Sequence, residues 1–245
     1  MNILITNDDG IYSKGIKILE KAAKEFGNTV IVAPDNEKSG ASVSFSLNKI
    51  IHFTKIQNNK YIVSGSPVDC INFGIYKIFN KKVDLILSGI NRGENMGEDI
   101  FYSGTVGAAI EGTLFGIKSL AISLVNIGEG YNFNFISNSF LTKLLKKLLQ
   151  IKLPPKNFLN INIPSTKKIK SYKFTFPDSR IYQGGLKELS PNSSLFVFDS
   201  SPPNWKNIEG SDYNAVINKF VSITPLKLEL TNINLLNKLK KQVKL

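Results

Sequence analysis

The sequence is poor in the residues that build disulfide frameworks and most transition-metal sites. It contains one cysteine, Cys70, and one histidine, His52, among 245 residues. A single cysteine excludes an intrachain disulfide, and a single histidine excludes a zinc site built from several imidazoles. A Ser-His or Cys-His nucleophile would depend on His52, which falls in a strand-like run away from the polar loops.

Long apolar runs are also absent, and no segment approaches the roughly 20 apolar residues that span a bilayer. Met1 and Asn2 lead directly into a strand-like run without a signal-peptide pattern. We therefore expect a cytoplasmic protein with no membrane partner. The 31 Lys and Arg residues exceed the 19 Asp and Glu residues, a net charge of +12. Because the lysines are scattered, we expect a solvated basic surface and no specific nucleic-acid partner.

Short apolar runs alternate with helical patterns over residues 1–165, and this alternation predicts an α/β core. Strand, helix and strand follow each other within the first 33 residues, which is the spacing of a βαβ unit. We predict a doubly wound, mostly parallel, Rossmann-like sheet. The predicted core strands are Asn2–Thr6, Thr29–Ala33, Val83–Ser88, Ser119–Leu124 and Phe158–Ile163, with a looser pair at Ile50–Phe53 and Tyr61–Val63 and a helix at Phe135–Gln150.

The alternation breaks after Pro164, although no linker separates the two parts. We predict a single domain, 1–245, in which residues 166–245 form a C-terminal extension. Strand-like pieces at Tyr172–Phe176 and Leu195–Phe198 predict β-hairpin arms, and the lysine-rich tail Leu235–Leu245 predicts a terminal amphipathic helix. We expect this extension to pack on the core or on another subunit.

Three polar loops follow predicted strands, and the carboxyl ends of parallel strands share one edge of a sheet. The loops contain Asn7-Asp8-Asp9-Gly10, Ser39, and the run Asn91–Gly97. Adjacent carboxylates repel each other and favour a nearby cation. Asp8, Asp9, the Ser39 hydroxyl and an Asn amide suit Mg²⁺, Mn²⁺ or Ca²⁺. The alternative is that Asn7-Asp8-Asp9-Gly10 is an Asx turn that caps the first helix.

Ser103-Gly104-Thr105 lies where a helix is predicted to begin. Free backbone N–H groups and two hydroxyls at such a position favour an anion. The alternative is simple N-capping by Ser103 or Thr105. Cys70 falls inside an apolar helix and is expected to be a small buried hydrophobe.

Seven segments in order resemble the SurE family of 5′/3′-nucleotidases. The first is Ile3–Ile11, with the sequence ILITNDDGI, and the resemblance continues almost to the end of the chain. The other segments are Val32–Gly40, Gly65–Cys70, Ser88–Gly97, Tyr102–Gly112, Asp212–Ala215 and Val221–Leu226.

The resemblance implies a phosphatase that uses one divalent metal ion, Mg²⁺ or Mn²⁺, and acts on nucleoside monophosphates. Some members also cleave short polyphosphate. It implies Asp8, Asp9, Ser39 and Asn91 as metal ligands, with Asp8 and Asp9 as the catalytic pair. Asn95 would hold metal or phosphate, and Ser103, Gly104 and Thr105 would contact phosphate. A homodimer or a dimer of dimers with exchanged C-terminal elements is expected.

Two other functions remain open from the residues. An aspartyl-phosphate phosphatase also ends its first strand in carboxylates, but its two aspartates are separated by one residue, whereas Asp8 and Asp9 are adjacent. A non-catalytic nucleotide- or RNA-binding module would suit the basic charge, and it would bind with a steep salt dependence and release no phosphate.

Overall fold

The computed structural model describes residues 1–181, 185–190, 194–198 and 204–243. Thirteen strands and six α-helices are formed within these ranges. In the first part of the chain they are β1 Asn2–Thr6, α1 Lys14–Ala23, β2 Asn28–Pro34, β3 Phe53–Gln57, β4 Lys60–Val63, α2 Pro67–Phe73, β5 Leu85–Arg92, α3 Gly104–Leu114, β6 Lys118–Val125, α4 Asn138–Gln150 and β7 Asn157–Pro164. They continue as β8 Tyr172–Phe174, β9 Arg180–Ile181, β10 Leu186–Glu188, β11 Phe196–Phe198, β12 Asn204–Trp205, α5 Asp212–Ile217, β13 Val221–Lys227 and α6 Ile233–Gln242.

Nine of these strands form one sheet in the order β3-β4-β2-β1-β5-β6-β7-β13-β8. The strands β4, β2, β1, β5, β6 and β7 pair in parallel. At one edge β3 runs antiparallel to β4, and beyond the other end of this parallel run β13 is antiparallel to β7. The predicted α/β class with a mostly parallel sheet is therefore confirmed.

The C-terminal part forms two strands of the central sheet as well as the predicted hairpin arms. Strands β13 and β8 extend the central sheet, whereas β10 pairs with β11 and β12 with β9 in two small hairpin-like sheets. Because β8 and β13 lie after residue 165, the central sheet continues beyond the position where the α/β alternation ends. Long-range strand pairing of this kind leaves no local signal in the sequence.

Several predicted boundaries differ from the structure. The strand predicted at Val83–Ser88 is shifted to Leu85–Arg92, and the strand-like piece Tyr172–Phe176 is shortened to Tyr172–Phe174. The edge strand begins at Phe53 instead of Ile50. The helix predicted from Phe135 begins at Asn138, because Ser137 accepts a hydrogen bond from the Phe140 N–H and caps it. The terminal helix starts at Ile233, two residues before the predicted tail, and Lys244 and Leu245 lie outside the described residues.

The two faces of the sheet differ in polarity. One face carries an unbroken apolar layer that packs on α1 and α4, including Ile5, Leu87, Ile122 and Ile161. The opposite face is apolar near α2, but it becomes polar along β6, β7 and β13. The fully buried polar side chains there include Ser119, Ser123, Asn160, Asn162 and Ser222. This polar half of the sheet faces the loop that follows β5, since Asn160 and Asn162 bond to its backbone.

None of the helices within the described ranges is long and apolar enough to cross a membrane.

The carboxyl end of α4 is capped by Lys118, the first residue of β6. The Lys118 ammonium donates to the carbonyl oxygens of Leu148, Leu149 and Ile151 at 3.0, 2.8 and 2.7 Å. A cation at this position also interacts favourably with the negative end of the helix dipole. Burial lowers the pKa of Lys118 from its usual value.

We expect Lys118→Met to lower the free energy of unfolding by about 1–3 kcal/mol, because three carbonyls lose a charged donor while the apolar stem is kept. Urea unfolding followed by circular dichroism measures the change. The control is Lys146→Met, which alters an exposed lysine of α4 and is expected to change stability by less than about 0.5 kcal/mol. Equal losses in the two variants would contradict this role of Lys118.

Candidate functional site

The three polar loops meet at one cavity of about 350 Å³ at the carboxyl edge of the sheet. Five of the eight predicted site residues line it: Asp8, Ser39, Asn91, Asn95 and Ser103. Sequence reasoning did not assign the other lining residues, which are Gly40, Arg92, Glu94, Asp99, Tyr102 and Arg180.

Asp8 is held against the first turn of α3. Its carboxylate accepts a hydrogen bond from the Thr105 N–H at 3.1 Å and a second, short one from the Thr105 hydroxyl. The side chain is almost fully buried, and this burial raises the pKa of Asp8 above its usual value. The hydrogen bonds from Thr105 act in the opposite direction.

Gly104 and Thr105 therefore lie behind Asp8 and do not line the cavity themselves. Thr105 is fully buried. A Cβ on Gly104 would lie 3.0 Å from Asp8 Cβ and 3.0 Å from Asp8 Oδ2, closer than ordinary packing allows. The glycine thus lets the helix approach the carboxylate, whereas Ser103 lines the cavity and caps α3 through the Val106 N–H at 3.0 Å.

Asp9 lies beside the cavity and lines a larger one of about 600 Å³ together with Arg92. Its Oδ2 accepts a hydrogen bond from the Arg92 backbone N–H at 3.0 Å. Burial, and after it the negative charge of Asp8, raises the pKa of Asp9 to about 6. The two neighbouring carboxylates thus lie where negative charge is poorly stabilised by the protein alone.

Ser39 and Asn91 line the same cavity, and both side chains carry a neutral oxygen atom. The Ser39 hydroxyl donates to Glu37 Oε1 at 2.6 Å, so its oxygen lone pairs remain. Asn91 Nδ2 donates to the Gly93 carbonyl at 3.0 Å. Because the amide nitrogen is engaged in this way, the amide oxygen of Asn91 is the atom suited to a cation.

The donor set fits a hard divalent cation. Two carboxylates, a hydroxyl and an amide oxygen are the ligand types that Mg²⁺ and Mn²⁺ accept, with water completing the coordination. A cation would also offset the destabilised charges of Asp8 and Asp9. Within the described ranges, no group of three or more His, Cys, Asp or Glu side chains is placed to hold a metal, so any cation here depends on neutral oxygens as well.

Asn95 is fixed by a buried network that sequence reasoning missed. The Asn95 N–H donates to Asn162 Oδ1 at 3.0 Å, and the Asn95 carbonyl accepts from Asn162 Nδ2 at 2.9 Å and from Asn160 Nδ2 at 2.7 Å. Its side-chain Nδ2 donates to Ser123 Oγ at 2.8 Å. The signal in the sequence was two asparagines at alternate positions of an otherwise apolar strand.

The loop that carries Ser39 is fastened at several points. Ser42 donates to the carbonyls of Phe101 and Tyr102, at 2.6 Å from its hydroxyl and 3.1 Å from its N–H. The buried carboxylate of Asp69 accepts from the Ser46 N–H at 3.0 Å and from the Ser46 hydroxyl at 2.8 Å. The same carboxylate completes the capping box of α2, so Asp69 joins the helix start to the loop.

The C-terminal part holds the other side of the cavity. Asp212 is fully buried and accepts hydrogen bonds from the N–H groups of Gly97 at 3.0 Å and Asp178 at 2.8 Å. Burial raises the pKa of Asp212. Arg180 forms an ion pair with Asp99, and both line the cavity. Long-range contacts of this kind could not be inferred from spacing.

The two residues set aside at the outset, His52 and Cys70, do not line this cavity. Cys70 is fully buried, and burial raises the pKa of its thiol well above the usual value. It packs in the apolar cluster under α2, as expected for a small hydrophobe.

Comparison with known proteins gives one consistent family. The family model described as Survival protein SurE matches residues 3–184. A protein of Geotalea uraniireducens named 5′-nucleotidase SurE is 41% identical in an alignment of 245 positions that covers 98% of this chain and 98% of the relative. A protein of Wigglesworthia glossinidia brevipalpis named 5′/3′-nucleotidase SurE is 40% identical and covers 95% of this chain, with 93% of its own length matched. The crystal structure of the Sure protein from Aquifex aeolicus superposes with a TM-score of 0.87 at 37% identity over 99% of both chains.

We expect Asn162→Ala to lower the free energy of unfolding by about 1–3 kcal/mol, because it leaves the buried Asn95 N–H without an acceptor. Urea unfolding measures the loss, and hydrogen exchange of the Asn95 amide is expected to accelerate. The matched control on the same strand is Asn157→Ala, which removes one hydrogen bond to the Pro155 carbonyl near the surface. Unchanged exchange at Asn95 would show that Asn162 does not hold this loop.

Proposed function

The chain belongs to the SurE family and is a 5′-nucleotidase, and we propose that its reaction depends on one divalent cation, Mg²⁺ or Mn²⁺, held by Asp8, Asp9, Ser39 and Asn91. The observation that carries the proposal is the meeting of three oxygen-rich loops at one cavity beside two destabilised carboxylates. The substrates proposed are nucleoside 5′-monophosphates. The 3′-monophosphates are included by analogy with the Wigglesworthia relative, and short polyphosphate remains a further candidate.

The phosphate is proposed to lie against Ser103 and Asn95. In the first turn of α3, the Thr105 N–H donates a hydrogen bond to the Asp8 carboxylate, and the Val106 N–H donates one to the Ser103 hydroxyl oxygen. Gly104 does not itself line the cavity, but it directly follows Ser103, which does. Its N–H is engaged by no acceptor among the residues that the structure describes, and it is the first-turn donor that we assign to a phosphoryl oxygen. Thr105 then acts by holding Asp8 instead of touching the phosphate, which modifies the role expected from the resemblance.

The reaction is an attack of water on phosphorus in line with the ester oxygen. A divalent cation held by Asp8, Asp9, Ser39 and Asn91 would supply Lewis-acid polarisation of a phosphoryl oxygen and activation of water. Asp8 and Asp9 are proposed to position the water, since carboxylates that hold a cation are weak bases. Ser103 and the Gly104 N–H stabilise charge on the equatorial oxygens. The bond from phosphorus to the ester oxygen breaks, the attacking water gives up one proton, and the ester oxygen takes up one, so that the nucleoside and phosphate are released.

We expect Asp9→Asn to reduce phosphate release by at least about 100-fold, because it removes a charged ligand while keeping the shape of the side chain. Phosphate release from 5′- and 3′-monophosphates is measured with Mg²⁺, Mn²⁺ or EDTA, and calorimetry measures cation binding. EDTA is expected to abolish release by the unaltered protein.

The control is Asp84→Asn, which changes a carboxylate at the opposite edge of the sheet, where it accepts from the Asn2 N–H at 2.7 Å. Its turnover is expected to match that of the unaltered protein. Unchanged turnover of Asp9→Asn at saturating cation would remove Asp9 from the site. No release under any condition, together with salt-sensitive nucleotide binding, would favour the non-catalytic binding module.

A homodimer, or a dimer of dimers, is proposed for the working state. All ten residues of α6 are exposed in the single chain. They include Leu235, Leu236 and Leu239, whose exposed fractions are 51%, 37% and 47%. An amphipathic helix with no buried side chain gains most of its stability from packing against a partner surface.

We expect the double variant Leu235→Glu with Leu239→Glu to shift the protein from dimer towards monomer, because buried charges disrupt an apolar contact. Size-exclusion chromatography with light scattering measures the mass at equal protein concentration. The control Asn237→Glu adds charge to the same helix and is expected to keep the mass of the unaltered protein. A monomeric unaltered protein would contradict the proposed assembly.

A further inference from the structure

A second cavity adjoins the proposed phosphate site and is larger. Its volume is about 600 Å³, against about 350 Å³ for the cavity that holds Asp8 and Asn95. Arg92 lines both cavities, and Asp9 lines the larger one next to Asp8. Ligand pockets commonly have volumes of roughly 300–1,000 Å³. The larger cavity therefore has room for the part of a substrate that extends away from its phosphate.

The wall of this cavity is aromatic and contains a cation. Tyr131 and Phe133 line it, with exposed fractions of 37% and 7%. The guanidinium of Arg92 lies 5.4 Å from the centroid of the Tyr131 ring. A flat π surface beside an arginine plane favours a heteroaromatic base, because both groups stack on such a ring.

Polar groups complete the same cavity. Glu37 and Lys14 line it, so both a hydrogen-bond acceptor and a donor are present. A carboxylate suits the hydroxyl groups of a ribose, since each hydroxyl donates a hydrogen bond. The combination of an aromatic wall, an acceptor and a donor matches the chemistry of a nucleoside.

The position of Tyr131 is fixed by its neighbours in the chain. The Gly130 N–H donates to Asn126 Oδ1 at 2.8 Å, and the Asn132 N–H donates to Ser165 Oγ at 2.9 Å. Hydrogen bonds on both sides of Tyr131 hold the loop between β6 and α4. A loop whose backbone is already held in place loses little conformational entropy on binding, which favours a binding role for the ring that it carries.

We propose that this second cavity binds the nucleoside part of the substrate, with the base stacked on Tyr131 and the phosphate in the neighbouring cavity. This inference rests on the proposed function for its substrate, but nucleoside binding can be measured without turnover. Tyr102, which lines the smaller cavity and is 60% exposed, is the rival aromatic surface.

The test compares a nucleotide with the same phosphate ester lacking a base. For Tyr131→Ala we expect KM for AMP to rise about tenfold, the order of one base–aromatic stacking contact, with little change in kcat. Turnover of ribose 5-phosphate is expected to stay unchanged. Tyr131→Phe keeps the ring and is expected to restore KM for AMP to that of the unaltered protein.

The control variant is Tyr172→Ala. Tyr172 is also a partly exposed tyrosine, 40% exposed, with a lysine ammonium 4.8 Å from its ring centroid. It lies on β8 and lines neither of the two cavities. KM for AMP is expected to be unaltered in this variant.

Calorimetry with adenosine separates the subsite from the reaction. Adenosine binding that is lost in Tyr131→Ala supports the subsite, even if no substrate is turned over and the proposed function fails. Phosphate release from AMP with no Tyr131 effect on adenosine binding or KM overturns the subsite and leaves the nucleotidase intact. An equal loss on AMP and ribose 5-phosphate, or a base-specific loss in Tyr102→Ala instead, also overturns it.

Discussion

The contact between the Asp8 carboxylate and the start of α3 sets the arrangement of the whole site. Thr105 donates to this carboxylate from both its N–H and its hydroxyl, and Gly104 provides the space for the approach. The contact joins the end of β1 to a helix almost 100 residues later in the chain. The backbone N–H of Thr105, in the first turn of α3, is thus already bonded to the Asp8 carboxylate. This bond partly compensates the charge of Asp8 without any ligand.

The polarity of the sheet explains how the opposite wall of the cavity is held. The loop after β5 lies on strands that carry Ser123, Asn160 and Asn162 where an apolar face would be expected. Because buried amides are costly unless they are paired, these side chains specify one position for the backbone of Asn95. Asp212, which lies in the C-terminal part, likewise fixes the backbone of Gly97 by accepting a hydrogen bond from its N–H. The loop is thus fixed by side chains from the sheet and from the extension in addition to its own turn hydrogen bonds.

Sequence patterns predict the parallel core and the loops of the site because strand, helix and loop signals are local. Asp8, Ser39 and Asn91 follow recognisable runs, and the sheet topology brings them to one edge. The role of Thr105 was missed, because its partner Asp8 lies far away in the sequence. Pairing of β13 with β7 and β8 was missed for the same reason, and Asn162 was hidden in a strand that reads as apolar. Local periodicity contains no information about such partners.

The electrostatics of the two adjacent aspartates differ, and this difference bears on the proposed cation. Asp8 receives two hydrogen bonds from Thr105, whereas the contact to Asp9 that opposes its raised pKa most strongly is the Arg92 backbone N–H. Arg180, the other cation that lines the smaller cavity, is paired with Asp99. The protein has a net charge of +12, yet it leaves these carboxylates with raised pKa values. An acidic pair that basic side chains do not neutralise favours a divalent cation, which is the ion that the proposed chemistry requires.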